Sequence, residues 1–144
     1  MKTIYLAIID ELKKISEIRW IDLDTGQLNT NDRAPIATPA ALIEIILPEC
    51  KSLTDLVQVC KARITVRLIF EKTSLKTSAN TPEASLAKNL EVYDIIAKVY
   101  AALQGFESNT FSAMSRKNQG PERISNYFVY RIEFECEFED QTAE

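Results

Sequence analysis

The run Asn126–Asp140, NYFVYRIEFECEFED, alternates apolar and polar positions almost without a break. Successive side chains of an extended chain point to opposite sides, so Phe128, Tyr130, Ile132, Phe134, Cys136 and Phe138 share one face. Arg131, Glu133, Glu135, Glu137 and Glu139 share the other. The stretch VQVCKARITVRLIFE repeats the pattern with the charge reversed. Cys60, Ala62, Ile64, Val66, Leu68 and Phe70 oppose Lys61, Arg63, Thr65 and Arg67. These are two long amphipathic strands, one with an acidic back and one with a basic back.

Elsewhere the apolar period lengthens to that of a helix. Tyr5, Ile8, Leu12 and Ile15, widened by Ile4 and Ile9, predict a helix over residues 1–15. Leu86, Leu90, Tyr93, Ile95, Ile96, Tyr100 and Leu103 predict a second over 82–104. Its opening, Thr81-Pro82-Glu83, offers a hydroxyl cap, a proline at the first position and an early acid, and Gly105 ends it. Ile18–Leu23 reads as a short strand closed by the turn Asp24–Gln27. Ala40–Leu47 is apolar except for Glu44, as suits a central strand, and Pro48 is expected to stop it. Phe111–Lys117 reads as a weaker strand and Asn118–Arg123, with its Gly-Pro, as a turn. Asn29–Pro39, Glu49–Asp55 and Lys72–Asn80 read as polar surface loops, and 141–144 as a frayed tail.

The element order is then α-β-β-β-α-β-β, with three strands within 18–71 and two within 111–139. Strands grouped between two helices predict a single α+β domain over 1–144, with a mostly antiparallel sheet and both helices packed on one face. The strand order within the sheet is left open.

Composition narrows the chemistry. The chain contains no histidine, which removes Ser-His and Cys-His catalysis, histidine-ligated zinc and the usual proton shuttle near neutral pH. A net charge of −4 argues against a general polyphosphate binder. Three glycines in the whole chain leave no phosphate-cradling loop. Arg63, Arg67, Arg116, Lys117 and Arg123 are too scattered for a nucleic-acid surface. Of Cys50, Cys60 and Cys136, the last two fall on apolar strand faces and read as buried thiols rather than as a metal knuckle or a nucleophile. Trp20 is expected in the core. MKTIYLAIIDELKK reads as a helix rather than a signal peptide, and no apolar run approaches the roughly 20 residues of a membrane span. A soluble, intracellular protein is expected.

The carboxylate strip is the sharpest feature. Glu133, Glu135, Glu137 and Glu139 follow one another at about 6.6 Å, twice the strand rise. A divalent cation needs carboxylates that converge, with Asp22, Asp24 or Glu44 folding in beside them, and a linear row does not converge. If the two amphipathic strands are sheet neighbours, Lys61, Arg63 and Arg67 lie beside the glutamates and the strip is a structural face. If they are not, the two stripes could meet between copies, in a head-to-tail contact that closes into a ring. No catalytic, metal or cofactor-binding residues are assigned.

The amino-terminal helix, a strand with a glycine turn, Arg33-Ala34-Pro35, the P-A-x-L-I-E-I pattern of Pro39–Ile45, the long strand ITVRLIFE, Ala-Leu-Gln-Gly-Phe at 102–106 and Phe111–Arg116 succeed one another in a familiar order. In that order the chain resembles the tail-terminator and tail-completion proteins of tailed bacteriophages and prophages, the group similar to minor tail protein U. The resemblance covers about Thr3 to Asp140. It implies a non-enzymatic virion protein without cofactors. Such a protein forms a homo-oligomeric ring of about six copies that caps the tail tube, contacts the tail tube protein and the head–tail connector proteins, and lets DNA pass without specific binding. Its implied location is the host cytoplasm during assembly and then the phage tail. Lys61, Arg63, Arg67, Glu133, Glu135, Glu137 and Glu139 would then face a neighbouring subunit or a DNA-repelling lumen. A neck or head-completion adaptor of the same particle, and a monomeric carboxylate-dependent metal-binding protein, are the alternatives.

Overall fold

The computed structural model describes residues 1–29, 33–73, 75–124 and 126–144. Helix α1 (Lys2–Leu12) leads into β1 (Trp20–Leu23). Strands β2 (Ala40–Ser52) and β3 (Gln58–Glu71) follow, then helices α2 (Glu83–Asn89) and α3 (Glu91–Leu103), and finally β4 (Ser115–Ile124) and β5 (Tyr127–Asp140). The strands form one sheet in the order β1-β2-β3-β5-β4, antiparallel except for the parallel β1–β2 pair. This is the α+β architecture that the alternating and helical periods imply. Among the described residues no helix is long and apolar enough to cross a membrane.

The even-numbered residues of β3 and β5 and the odd-numbered residues of β2 carry the main core. Ala41, Ile43, Ile64, Val66, Leu68, Ile132 and Phe134 are buried on that face. Ile4, Ile8 and Leu12 of α1 and Ile95, Ile96, Val99 and Leu103 of α3 pack onto it. Both helices thus cover one side of the sheet, and each fully buried aliphatic side chain contributes about 1.5–3 kcal/mol.

Several expectations fail at particular residues. The helix expected over 1–15 ends at Leu12, where tight turns take over: Ile15 N–H bonds to Leu12 C=O at 3.0 Å, which still seats Ile15 in the core. The helix expected over 82–104 is two, because the chain tightens at Leu90 and Tyr93 N–H bonds back to Leu90 C=O at 3.0 Å. That tightening shifts the phase of the buried stripe. Leu90 and Tyr93 are 39% and 55% exposed, and α2 buries nothing. Pro82 rather than Thr81 occupies the cap position, with no side-chain cap bond, and the Thr81 hydroxyl pairs with Ser78.

Both prolines expected to interrupt strands lie within them. β2 runs on past Pro48, beyond the stretch that β1 pairs and at a register shift between Ile46 and Glu49. The residues Asn118–Arg123, expected as a turn, belong to β4, an edge strand in which Pro121 is opposite Tyr130. A proline lacks a ladder N–H, and edges and bulges are where strands tolerate that. Trp20, expected in the core, is 40% exposed on edge strand β1. The Asp24–Gln27 turn forms as expected, with Gly26 at φ 86° and its N–H on Asp24 Oδ1 at 3.1 Å.

The segment expected as a polar surface loop over Asn29–Pro39 lies partly outside the described residues, at 30–32, as does residue 74 of the loop expected over Lys72–Asn80. What is described overturns the first expectation. Ala34 and Ile36 are buried against Ala40, Leu42, Ile69, Tyr127 and Val129, on the sheet face opposite the helices. Two apolar residues in a polar segment were enough to make a second core, because the parallel β1–β2 connection must cross that face.

Candidate functional site: the open face of the sheet

Beyond this second core the face away from the helices is charged. Arg67, at the middle of β3, is its hub. The guanidinium donates to Asp24 Oδ2 through Nη1 at 2.9 Å and to Glu122 through Nε at 3.0 and 3.2 Å, and Glu44 lies 3.8 Å away. The turn after β1 supplies Asp24, β2 supplies Glu44 and β4 supplies Glu122, so one side chain ties together four segments of the chain. The Arg67 side chain is only 21% exposed. Burial pulls its pKa down, but the bond to Glu122 and the charges of Glu122, Asp24 and Glu44 outweigh this and hold it above the ordinary arginine value. Asp24, Glu44, Arg67 and Glu122, with Leu28 and Ile124, line a recess of about 260 Å³.

The two amphipathic strands are neighbours. Lys61 is opposite Glu137, Arg63 opposite Glu135 and Thr65 opposite Glu133 in the antiparallel β3–β5 register. Arg63 reaches Glu135 at 3.8 Å, and Glu133 is held by Arg131 of its own strand at 3.7 Å. Lys61 turns instead to Glu49 of β2 at 3.3 Å. Half of the strip, Glu133 and Glu135, is therefore answered within the chain. Of the seven residues singled out by sequence, the structure joins Arg63 to Glu135 and leaves Glu137 and Glu139 without an ion pair among the described residues. Arg67 does not meet the strip. Its register partner is Arg131, and Glu122 lies between the two cations, 3.0 Å from one and 3.8 Å from the other.

A metal site at the strip would have needed Asp22, Asp24 or Glu44 to fold in beside it; Asp24 and Glu44 gather around Arg67 instead. Glu122 was hidden in a segment read as a turn. Glu44, the lone charge in an apolar run, was the available signal that a cation would lie near it: its register partner is Thr65, and Arg67, two residues further along β3, comes within 3.8 Å. Among the described residues no group of three or more Cys, Asp or Glu side chains is arranged to hold a metal ion. Chemically, this face is a set of mutually neutralising charges on a rigid sheet, with an acidic end at Glu137 and Glu139.

At the far end of the sheet the β2–β3 hairpin runs past the last residue paired with β1, and its tip exposes Leu53 and Leu56 at 58% and 52%. The fold and face together define an α+β scaffold with a charged open sheet and an apolar-tipped hairpin. No protein-family profile and no curated protein matches the chain.

Proposed function

We propose that the protein is a structural subunit of a tailed-phage particle, a tail terminator or tail-completion protein that caps the tail tube as a ring and joins it to the head. The apolar hairpin tip is the observation that carries this reading. Two leucines more than half exposed at the end of a projecting hairpin suit contact with another protein surface. The open face supports a scaffold, because its central cation is bonded to carboxylates from three other segments rather than left to meet a reacting group.

In this reading Glu133 and Glu135 stabilise the subunit itself. Glu137 and Glu139 are the part of the strip left for a neighbour or for a lumen that repels DNA. Capping follows from self-association: one surface of the ring mates with the last ring of the tube, and the other offers nothing for a further ring to add to.

The test is light scattering behind a sizing column over a wide concentration range, at low and high salt, with electron microscopy of the eluted species. A closed assembly of about six 16.3 kDa subunits is expected, and Leu53→Lys with Leu56→Lys is expected to dissociate it. A monomer at every concentration and salt would overturn capping by self-association. A ring that binds the portal side and ignores the tube would assign the chain to the neck.

A further inference from the structure

Cys50 of β2 and Cys60 of β3 are direct register partners across an antiparallel pair. The register shift between Ile46 and Glu49 makes them so. Continued without it, the register of Ile46 with Arg63 would set Cys50 opposite Val59, on the face away from Cys60. Directly opposed residues project from the same face, with Cα atoms about 4.5 or 5.5 Å apart according to the type of pair. Both separations fall inside the span of about 4.4–6.8 Å that a disulfide bridges. The Cys50 side chain is near enough to raise the pKa of the Cys60 thiol. Both are free thiols; Cys50 is exposed and Cys60 is buried. Cys136 is opposite Ala62, one pair further on, so it is diagonal to Cys60, at about 7–8 Å and beyond disulfide reach.

We infer that Cys50 and Cys60 are a thiol-oxidation site that closes reversibly into a cross-strand disulfide, with Cys50 meeting the oxidant and Cys60 resolving it. The oxidant class is a small-molecule disulfide such as oxidised glutathione. The Cys50 thiolate attacks one of its sulfurs, the oxidant's S–S bond breaks, and one glutathione thiolate leaves. The Cys60 thiolate then attacks the Cys50 sulfur of the mixed disulfide and displaces the second glutathione. Two protein thiols are oxidised, one glutathione disulfide is reduced, and the two protein protons end on the two glutathione thiols. Burial, with the neighbouring Cys50 adding to it, pushes the Cys60 thiol up to about 11. Cys60 is therefore mostly protonated near neutral pH, which makes its attack on the mixed disulfide the slower of the two steps. The bond clamps the β2–β3 hairpin just below the tip that exposes Leu53 and Leu56. This inference stands whether or not the protein forms a ring.

The test equilibrates the folded full-length chain with glutathione buffers from fully reduced to fully oxidised, quenches with acid, and digests with trypsin without reductant. Lys51 lies between the two cysteines, so peptides 34–51 and 52–61 stay joined only through the new bond. The joined pair is expected in oxidising buffer and absent after dithiothreitol, with Cys136 still free. Cys60→Ser is expected to accumulate a glutathione adduct on Cys50, and Cys50→Ser to leave Cys60 unmodified. Wild-type protein that stops at the Cys50 adduct, dimerises through Cys50, or links peptide 52–61 to Cys136 overturns the inference, whether or not either variant folds.

Discussion

Replacing Arg67 with methionine isolates what the charge hub contributes, because methionine keeps much of the aliphatic stem and removes the cation. Asp24 and Glu122, now 2.9 and 3.0 Å from the guanidinium, would face Glu44 and one another with, among the described residues, Arg131 as the remaining cation at 3.8 Å from Glu122. Removing one partner of a fully buried pair costs about 3–5 kcal/mol, whereas a fully exposed pair is worth about 0.2–1 kcal/mol. Arg67 is about four-fifths buried and its two close partners retain 14% and 25% exposure, so the value lies between these limits. We expect a loss of about 2–3 kcal/mol at neutral pH. For a chain of this size that lowers Tm by roughly 5–10 °C. Urea unfolding followed by circular dichroism measures it directly. Adding Glu122→Gln to the variant should recover part of the loss, because it removes a stranded charge. A single variant within 0.5 kcal/mol of wild type at neutral pH and low salt would refute the view that this face is held by Arg67.

Further outcomes follow from other parts of the fold. Ile36→Ala should cost about 2–4 kcal/mol in urea unfolding, as for a core residue, whereas a solvated loop position would change by less than about 0.5 kcal/mol. Burial pushes the thiols of both Cys60 and Cys136 up to about 11, from an ordinary value of 9.0. Between those values the unfolded chain loses protons that the native chain keeps, so stability should fall as pH rises from 9 to about 11. Cys136→Ala should flatten that slope in denaturant titrations at successive pH, and an unchanged slope would contradict it. The exposed Lys98–Glu17 ion pair depresses the Glu17 carboxyl, chiefly through the Lys98 hydrogen bond, so its contribution is present above the ordinary carboxylate range and is lost as pH falls. Glu17→Gln should therefore move the urea midpoint less than Arg67→Met does. If Glu137→Lys with Glu139→Lys leaves the subunit's Tm unchanged yet alters its oligomeric state, the unpaired end of the strip faces a neighbour; an unchanged assembly would place it at a lumen or in solvent.

Much of this was legible along the chain. Strict alternation fixes which side of β3 and β5 is apolar, because the side-chain period of a strand is two and a slip of one residue would bury the charges. The same argument made Cys60 and Cys136 core residues and put α1 on the apolar face. It could not place Glu122, since Gly120-Pro121 signals a turn unless the strand is known to be an edge, and edge position is a property of the whole sheet. The burial of Ile36 has the same origin: the local sequence favours a polar loop, and packing against distant strands overrides it; the break at Leu90 has no such packing behind it, since α2 buries nothing.

The site divides in the same way. Sequence supplied the basic and acidic stripes, with every residue on the correct face. Only the tertiary structure decided that β3 and β5 are adjacent, so that Arg63 reaches Glu135 while Arg67 is drawn to Asp24, Glu44 and Glu122. It also decided that one extra residue near Pro48 turns Cys50 towards Cys60. A sequence determines the period of its side chains, which is local. Which stripes meet depends on strand order and register, and those are set by contacts between residues far apart in the chain.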